Sequence, residues 1–124
     1  MSENRKEMRK KLLAFTPVYD SKQKILLGYV GDLTHAGIMV VGERAVETGL
    51  EKLLKIEFPT DLPDVTAAHI FISARTAWCR QDVDSVQTFN IGFEFIEVSP
   101  EHTKIIQGIL GRYQFRNNYP APAE

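Results

Sequence analysis

The amino-acid sequence predicts an all-β fold with one C-terminal helix, in the form of a small antiparallel β-barrel of six or more strands. Short apolar-rich segments recur along residues 12–98 with turn residues between them, which is the pattern of consecutive antiparallel strands. Apolar residues at helical spacing appear only after residue 99. Because this many twisted strands tend to close, we expect a barrel rather than an open sheet.

The chain divides into four predicted segments. Residues 1–11 contain five basic and two acidic residues without apolar periodicity, so we expect a flexible basic arm. Residues 12–98 are expected to form the barrel, and residues 99–115 the helix. Residues 116–124 contain two prolines and are expected to be disordered. The total of 124 residues suits one domain.

The strands are expected to follow one another through hairpin turns. The first five are expected at residues 12–19, 24–31, 38–41, 50–58 and 67–80. The clearest is the last, at residues 86–98, where large apolar side chains alternate with small or polar ones. The residues expected to face the core are Phe89, Ile91, Phe93 and Phe95. A shift by one residue would expose all four, so this strand has one favoured orientation.

The predicted helix begins with two residues that favour helix starts. Ser99 is a good N-cap, and Pro100 suits the first helical position. Apolar residues three or four apart then form a stripe that we expect to pack against the open end of the barrel. These residues are Ile105, Ile106, Ile109, Leu110 and Tyr113.

Composition and charge argue against several classes of function. The net charge of -1 gives no general attraction to nucleic acid or to an anionic membrane. Cys79 is the only cysteine, so no internal disulfide can form. No apolar run approaches the roughly 20 residues that span a bilayer. We therefore expect a cytoplasmic protein that neither inserts into a membrane nor binds nucleic acid.

Residues with typical catalytic or metal-binding chemistry are scattered. His35, His69 and His102 lie far apart in the sequence, so they do not suggest a metal site. No glycine-rich phosphate-binding loop and no Cys-His or Ser-His-Asp pattern is recognisable. We therefore expect no catalytic residues, no metal and no enzymatic activity.

The most distinctive connection is residues 32–37, with the sequence Asp-Leu-Thr-His-Ala-Gly. It is longer than the two-residue turns that commonly join strands. Asp32 and Thr34 can fold the backbone through local hydrogen bonds. Gly37 permits a positive φ or the close approach of another molecule. These residues alone leave open whether the connection is a satisfied turn or part of a binding site.

The basic arm contains one pattern, a pair of arginines four residues apart, Arg5 and Arg9. Such a spacing places both guanidiniums on one side of a helix and also lets them converge on one ligand from an irregular segment. By itself the pair is more typical of a solvated basic tail than of a binding site.

Together, the arm and the connection resemble the PilZ domain, a bacterial receptor for the second messenger cyclic di-GMP. The arginine pair matches the family's R-x-x-x-R motif, and the connection matches its D/N-x-S-x-x-G motif, with Thr34 in place of serine. Trp78 and residues 92–95 resemble core positions of the same family. The resemblance runs from about residue 5 to about residue 113.

The resemblance implies that the ligand is cyclic di-GMP and that no other cofactor is needed. The residues it assigns to guanine and phosphate are Arg5, Arg9, Asp32, Thr34 and Gly37, and the possible accessory residues are Lys6, Lys10 and His35. Arginine can donate two hydrogen bonds to guanine O6 and N7, and a carboxylate can accept the guanine N1 and N2 hydrogens. We expect the ligand to order the arm and the reshaped surface to engage an unidentified effector protein in trans. The resemblance implies that this serves the control of motility, adhesion or exopolysaccharide.

Two departures from the family pattern bear on affinity, and neither removes an essential group. Thr34 adds a methyl group to the hydroxyl, and Lys6 replaces an arginine with a side chain that lacks the planar fork. Two alternative functions also remain open. A PilZ-like barrel can act as a protein-interaction module without nucleotide. A small barrel with a basic arm can bind single-stranded nucleic acid, although the net charge of -1 opposes this.

Overall fold

The computed structural model describes residues 11–13, 16–58 and 69–115. They contain eight strands and one helix, with the bounds β1 Lys11–Leu13, β2 Pro17–Asp20, β3 Ile25–Leu33, β4 Gly37–Gly42, β5 Glu51–Glu57, β6 His69–Asp82, β7 Ser85–Glu97, α1 Pro100–Arg112 and β8 Tyr113–Phe115. Residues 1–10 of the predicted arm and the predicted tail, residues 116–124, lie outside the described residues.

Six of the strands form a closed barrel in the order β2-β3-β4-β7-β6-β5. All neighbouring pairs in it are antiparallel. The predicted fold class, a small antiparallel barrel followed by a helix, is therefore confirmed. The longest strands are β6 and β7, with 14 and 13 residues. They form a hairpin through a turn at Val83 and Asp84, within the stretch where the sequence predicts one.

The core lies inside the barrel and under the helix. On β7, Ile91, Phe93 and Phe95 are buried and Phe89 is partly buried against them, as the alternation predicts. On the opposite side of the same strand, Glu94 is exposed. The period-two pattern therefore determines which face of β7 packs into the core.

The helix α1 contributes four residues of the predicted apolar stripe to the same core, whereas the fifth, Tyr113, lies beyond the helix in β8. Ile105, Ile106 and Ile109 are buried in one cluster with the inward-facing barrel residues, and Leu110 is partly buried against it. No helix in the described part of the chain is both long and apolar enough to cross a membrane.

The start of α1 is attached to the barrel through its cap. The Ser99 hydroxyl accepts the His102 N–H at 3.0 Å, and His102 Nδ1 accepts the Ser99 N–H at 3.2 Å. Because Nδ1 accepts a hydrogen bond, the ring proton is on Nε2. Nε2 therefore donates to the Phe71 carbonyl of β6, 2.8 Å away.

The two ends of the described chain differ from the prediction. The single strand predicted at residues 12–19 is divided, and only β2, which begins at Pro17, joins the barrel. The predicted helix ends three residues early, at Arg112, and β8 follows it. β8 pairs in parallel with β1 outside the barrel. Pairing between distant parts of a chain depends on the folded barrel, so local sequence patterns do not indicate it.

Candidate functional site

The connection between β3 and β4 is shorter than the sequence predicts. Asp32 lies within β3 and Gly37 begins β4, so three residues join the strands. The Thr34 hydroxyl oxygen accepts the N–H groups of Ala36 and Gly37, at 3.2 Å and 3.1 Å. The hydroxyl and the N–H of Thr34 both donate to the Gly37 carbonyl, at 3.3 Å and 2.9 Å. The hydroxyl that the resemblance assigns to a ligand is therefore already engaged within the turn.

Gly37 is required by the packing of β4 against β7. A Cβ at this position would collide with the carbonyl oxygen of Phe93, and the φ of Gly37 is not positive. Beside it, the Phe95 N–H donates to the Ala36 carbonyl at 2.8 Å. The missing side chain thus makes room for the neighbouring strand, whereas the resemblance implies room for a purine.

Asp32 presents a half-buried carboxylate at the end of β3. One oxygen, Oδ1, accepts the N–H of Leu33 at 2.9 Å. Burial raises the pKa of the Asp32 carboxyl, and the Leu33 N–H offsets part of that rise. No ion pair neutralises this carboxylate within the described residues. A ligand N–H donor would therefore stabilise a charge that the protein alone stabilises poorly.

Asp32 begins a row of residues that crosses the outer face of four strands. The strand registers align Asp32 of β3 with Met39 of β4, Met39 with Gly92 of β7, and Gly92 with Trp78 of β6. Neighbouring strands are about 4.8 Å apart, so the row is about 14 Å long. A carboxylate and an indole thus stand at its two ends.

The Trp78 side chain lies on the outside of the barrel because of a β-bulge. The register with β7 shifts between Thr76, which faces inward, and Trp78. The indole packs over Gly92, where a Cβ would collide with the ring. The guanidinium of Arg80 lies 4.9 Å from the ring centroid. The interpretation of Trp78 as a core residue is therefore wrong, because the side chain is half-buried on the surface.

A groove of about 380 Å³ joins the two ends of this row. Its lining includes three of the predicted site residues, Asp32, Thr34 and Gly37, together with Trp78, Gly92 and Glu94 from the β6–β7 hairpin. His35 is exposed at the tip of the connection and does not line the groove.

Charged residues of both signs lie around the groove. Glu94 lines it, and the Arg75 guanidinium lies 3.6 Å from the Glu94 carboxylate and 3.7 Å from that of Glu51. These contacts are solvent-exposed, so each ion pair contributes little to stability. Among the residues that line the groove, the structure describes two carboxylates and no cation.

The basic residues predicted to bind the ligand from the arm are Arg5, Lys6, Arg9 and Lys10, and they lie outside the described residues. The described chain enters the barrel where the Thr16 carbonyl accepts the Val30 N–H at 2.9 Å. Val30 precedes Asp32 by two residues on β3. Lys11–Leu13, which lie between this point of entry and the arm's arginines, pair with β8 outside the barrel.

Trp78, Arg80 and Glu94 lie at the groove or beside it without having been predicted as site residues from the sequence. Trp78 faces the groove because a bulge reverses its orientation, and bulges leave no periodic signal. One signal was available, since a glycine inside a strand marks the close approach of another group. Gly92 is that glycine, and the group is the Trp78 indole.

Metal-binding chemistry has no cluster of ligands in this part of the molecule. Within the described ranges, no group of three or more His, Cys, Asp or Glu side chains could hold a metal ion.

Comparison with known proteins identifies a family and a structural relative. The family model of the PilZ domain matches residues 3–112. The PilZ domain of YcgR from Escherichia coli, solved with c-di-GMP, has a similar structure, with a TM-score of 0.58 and 16% sequence identity over 77% of each chain. No curated protein sequence matches this one.

Proposed function

The chain belongs to the PilZ domain family, and we propose that it is a receptor for cyclic di-GMP that binds in the groove between Asp32 and Trp78. The observation that carries the proposal is the row that places a carboxylate and an indole at the two ends of one open groove. The proposed ligand contains two guanines and two phosphates, so its site needs hydrogen-bond acceptors, flat apolar surfaces and cations. The related YcgR domain was solved with this ligand.

Asp32 is the proposed acceptor for one guanine. The N1 and N2 hydrogens of guanine are adjacent donors, and a carboxylate accepts both. Burial already raises the pKa of this carboxyl, so the negative charge gains more from two new donors than an exposed carboxylate would.

Trp78 is the proposed stacking surface for the second purine. Stacking of a base on an aromatic side chain contributes about 1–3 kcal/mol. Gly92 supports the indole from the neighbouring strand, so the ring is held in place before a ligand arrives. Preorganisation of this kind reduces the entropy lost on binding.

The phosphates require cations that the groove lining does not supply. The described lining residues include the carboxylates of Asp32 and Glu94 and no lysine or arginine. The described chain enters the barrel at Thr16, whose carbonyl accepts the Val30 N–H two residues before Asp32, and the arm contains Arg5 and Arg9. We therefore assign the phosphates and a guanine edge to these two arginines, with accessory roles for Lys6, Lys10 and His35.

The proposed output is a change in the surface next to the arm. Ligand binding orders the arm over the groove, and an effector protein that distinguishes the two states receives the signal in trans. Control of motility, adhesion or exopolysaccharide in the bacterial cytoplasm is the setting that we infer. PilZ domains are binding modules, so we assign this chain a binding role and no catalytic one.

A second candidate function is a protein-interaction module that binds no nucleotide. Two observations favour it. The Glu94 carboxylate lines the groove and would repel a phosphate, and the Thr34 hydroxyl already bonds within its own turn. The first candidate requires Arg75, 3.6 Å from Glu94, to offset this repulsion.

Calorimetric titration with cyclic di-GMP separates the two candidates. The receptor predicts saturable binding that Asp32→Ala weakens. The interaction module predicts no binding by a chain that is demonstrably folded.

A further inference from the structure

Arg80 differs from the other arginine beside the groove. Arg75 is engaged by the carboxylates of Glu51 and Glu94. Arg80 forms no ion pair with any described residue, and its guanidinium instead lies against the Trp78 ring, 4.9 Å from the centroid. A cation that is already engaged by carboxylates is less available to a ligand than one that is not.

Among the described residues, none accepts a hydrogen bond from the Arg80 guanidinium, so its donors are available. A guanidinium that stacks on an aromatic ring uses its flat face, whereas its N–H groups point outward from its edge. Trp78 and Arg80 are two residues apart on β6, so both side chains lie on the outer face of the barrel. The indole therefore holds an uncommitted donor fork beside the end of the groove opposite Asp32.

On the basis of the proposed function, we propose that Arg80 is a ligand-binding residue that donates hydrogen bonds to the cyclic dinucleotide stacked on Trp78. It supplies a cation from the barrel itself, in addition to the two that we assign to the arm. The acceptors it meets are phosphate oxygens or the guanine O6 and N7, which share a geometry suited to a planar fork. Because Arg80 contacts Trp78 within β6, this contact does not depend on the arm.

The test uses the full chain and two readouts of the same titration. Calorimetry gives the affinity for cyclic di-GMP. Fluorescence reports whether the ligand reaches the indole, because Trp78 is the only tryptophan. We expect a saturable fluorescence change in the wild type. We expect Arg80→Ala to weaken binding at least about tenfold, in the range of one lost bidentate arginine contact, without a change in melting temperature.

Two further variants isolate the guanidinium. Arg44→Ala removes an exposed arginine that does not line the groove, and we expect its affinity to equal that of the wild type. Arg80→Lys keeps the charge and loses the planar fork, and we expect it to remain clearly weaker than the wild type.

Failure of the inference is distinguishable from failure of the proposed function. If the wild type binds and Arg80→Ala binds equally well, the role of Arg80 is overturned and the receptor function stands. Calorimetric binding without any change in Trp78 fluorescence overturns it as well. Wild-type affinity in Arg80→Lys overturns the assignment to the fork. Absence of binding by the folded wild type rejects the receptor function, and the role of Arg80 with it.

Discussion

The indole of Trp78 occupies the space that a side chain of residue 92 would fill, and Gly92 is what makes this possible. The two residues face each other across β6 and β7. A bulge brings Trp78 to the outer face, and the glycine lets the ring lie flat against the neighbouring strand. The β-bulge in β6 and the glycine in β7 thus together place the Trp78 indole at the proposed binding site.

Gly92→Ala is predicted to disturb both the fold and the site. The new Cβ would collide with the ring, so the indole must move, at a cost of about 1–3 kcal/mol in the free energy of unfolding. Chemical denaturation measures this cost, and the emission of Trp78 reports its displacement. We also expect weaker binding of cyclic di-GMP.

Gly111→Ala is the matched control for that substitution. Among the described residues, a Cβ at Gly111 meets no atom within 4 Å beyond the backbone of its own helix, and alanine favours the helix by up to about 1 kcal/mol. Unchanged emission and stability in Gly92→Ala would contradict the contact between residues 78 and 92.

Asp32 is predicted to make binding depend on pH. A protonated carboxyl cannot accept both guanine donors, and burial raises the pKa of this group. Affinity for cyclic di-GMP should therefore be highest above that pKa and fall as the pH is lowered through it. Asp32→Asn retains one acceptor oxygen and should bind more weakly at neutral pH, with a smaller dependence on acid.

Stability provides an independent check on the same carboxyl. Because its pKa is raised on folding, the charged form costs stability, and that cost is present above the folded pKa and absent below the unfolded one. Asp32→Asn should therefore raise the free energy of unfolding at neutral pH. If Asp32→Asn bound cyclic di-GMP with the same pH dependence as the wild type, a group other than Asp32 would be responsible for that dependence.

Thr34 is predicted to act through the shape of the turn. Thr34→Ser keeps the hydroxyl and should bind cyclic di-GMP at least as well as the wild type. Thr34→Val removes the hydrogen bonds to Ala36 and Gly37 and should lower the free energy of unfolding by about 1 kcal/mol. Titration with cyclic di-GMP and chemical denaturation of both variants test this prediction. Equal affinity and equal stability of Thr34→Ser and Thr34→Val would contradict a role for the hydroxyl in the turn.

Thr76 is predicted to lower stability through its hydroxyl. The residue is 1% exposed, and within the described residues its Oγ1 has no hydrogen-bond partner. Thr76→Val keeps the shape and should raise the free energy of unfolding by about 1 kcal/mol. Thr88→Val is the control, because Thr88 donates to Ser85 at 3.1 Å and should lose stability. Destabilisation by Thr76→Val would reveal an unrecognised partner.

The sequence predicts those parts of the fold that repeat along the chain. The alternation around Ile91 and Phe93 identifies the buried face of β7, and the stripe around Ile106 identifies the buried face of α1. The hydrogen-bonding turn at Thr34 is also predictable, since threonine commonly bonds to backbone two or three residues away.

The remaining features depend on contacts between distant residues. The outward orientation of Trp78 results from one register shift against β7. The parallel pair of β1 and β8 joins the two ends of the described chain. The sequence suggests for Gly37 a positive φ or the approach of another molecule, whereas the neighbour that requires a glycine is the Phe93 carbonyl, which only the folded barrel brings close.

The arginine pair of the arm is predicted to contribute to ligand binding and not to the stability of the fold. Arg5→Ala and Arg9→Ala should each weaken the binding of cyclic di-GMP by about 1–3 kcal/mol and leave the melting temperature unchanged. Lys22→Ala, an exposed residue in the turn after β2, is the control for loss of one positive charge. If both arginine variants bound with wild-type affinity, the proposal that the arm contacts the ligand would be wrong.

The central claim is that the groove between Asp32 and Trp78 receives cyclic di-GMP. Titration of the full chain with this ligand, followed by the fluorescence of its only tryptophan, tests it most directly. We predict a saturable change in the wild type that requires a higher ligand concentration in Asp32→Ala. A folded wild type whose fluorescence does not respond to the ligand would contradict the claim.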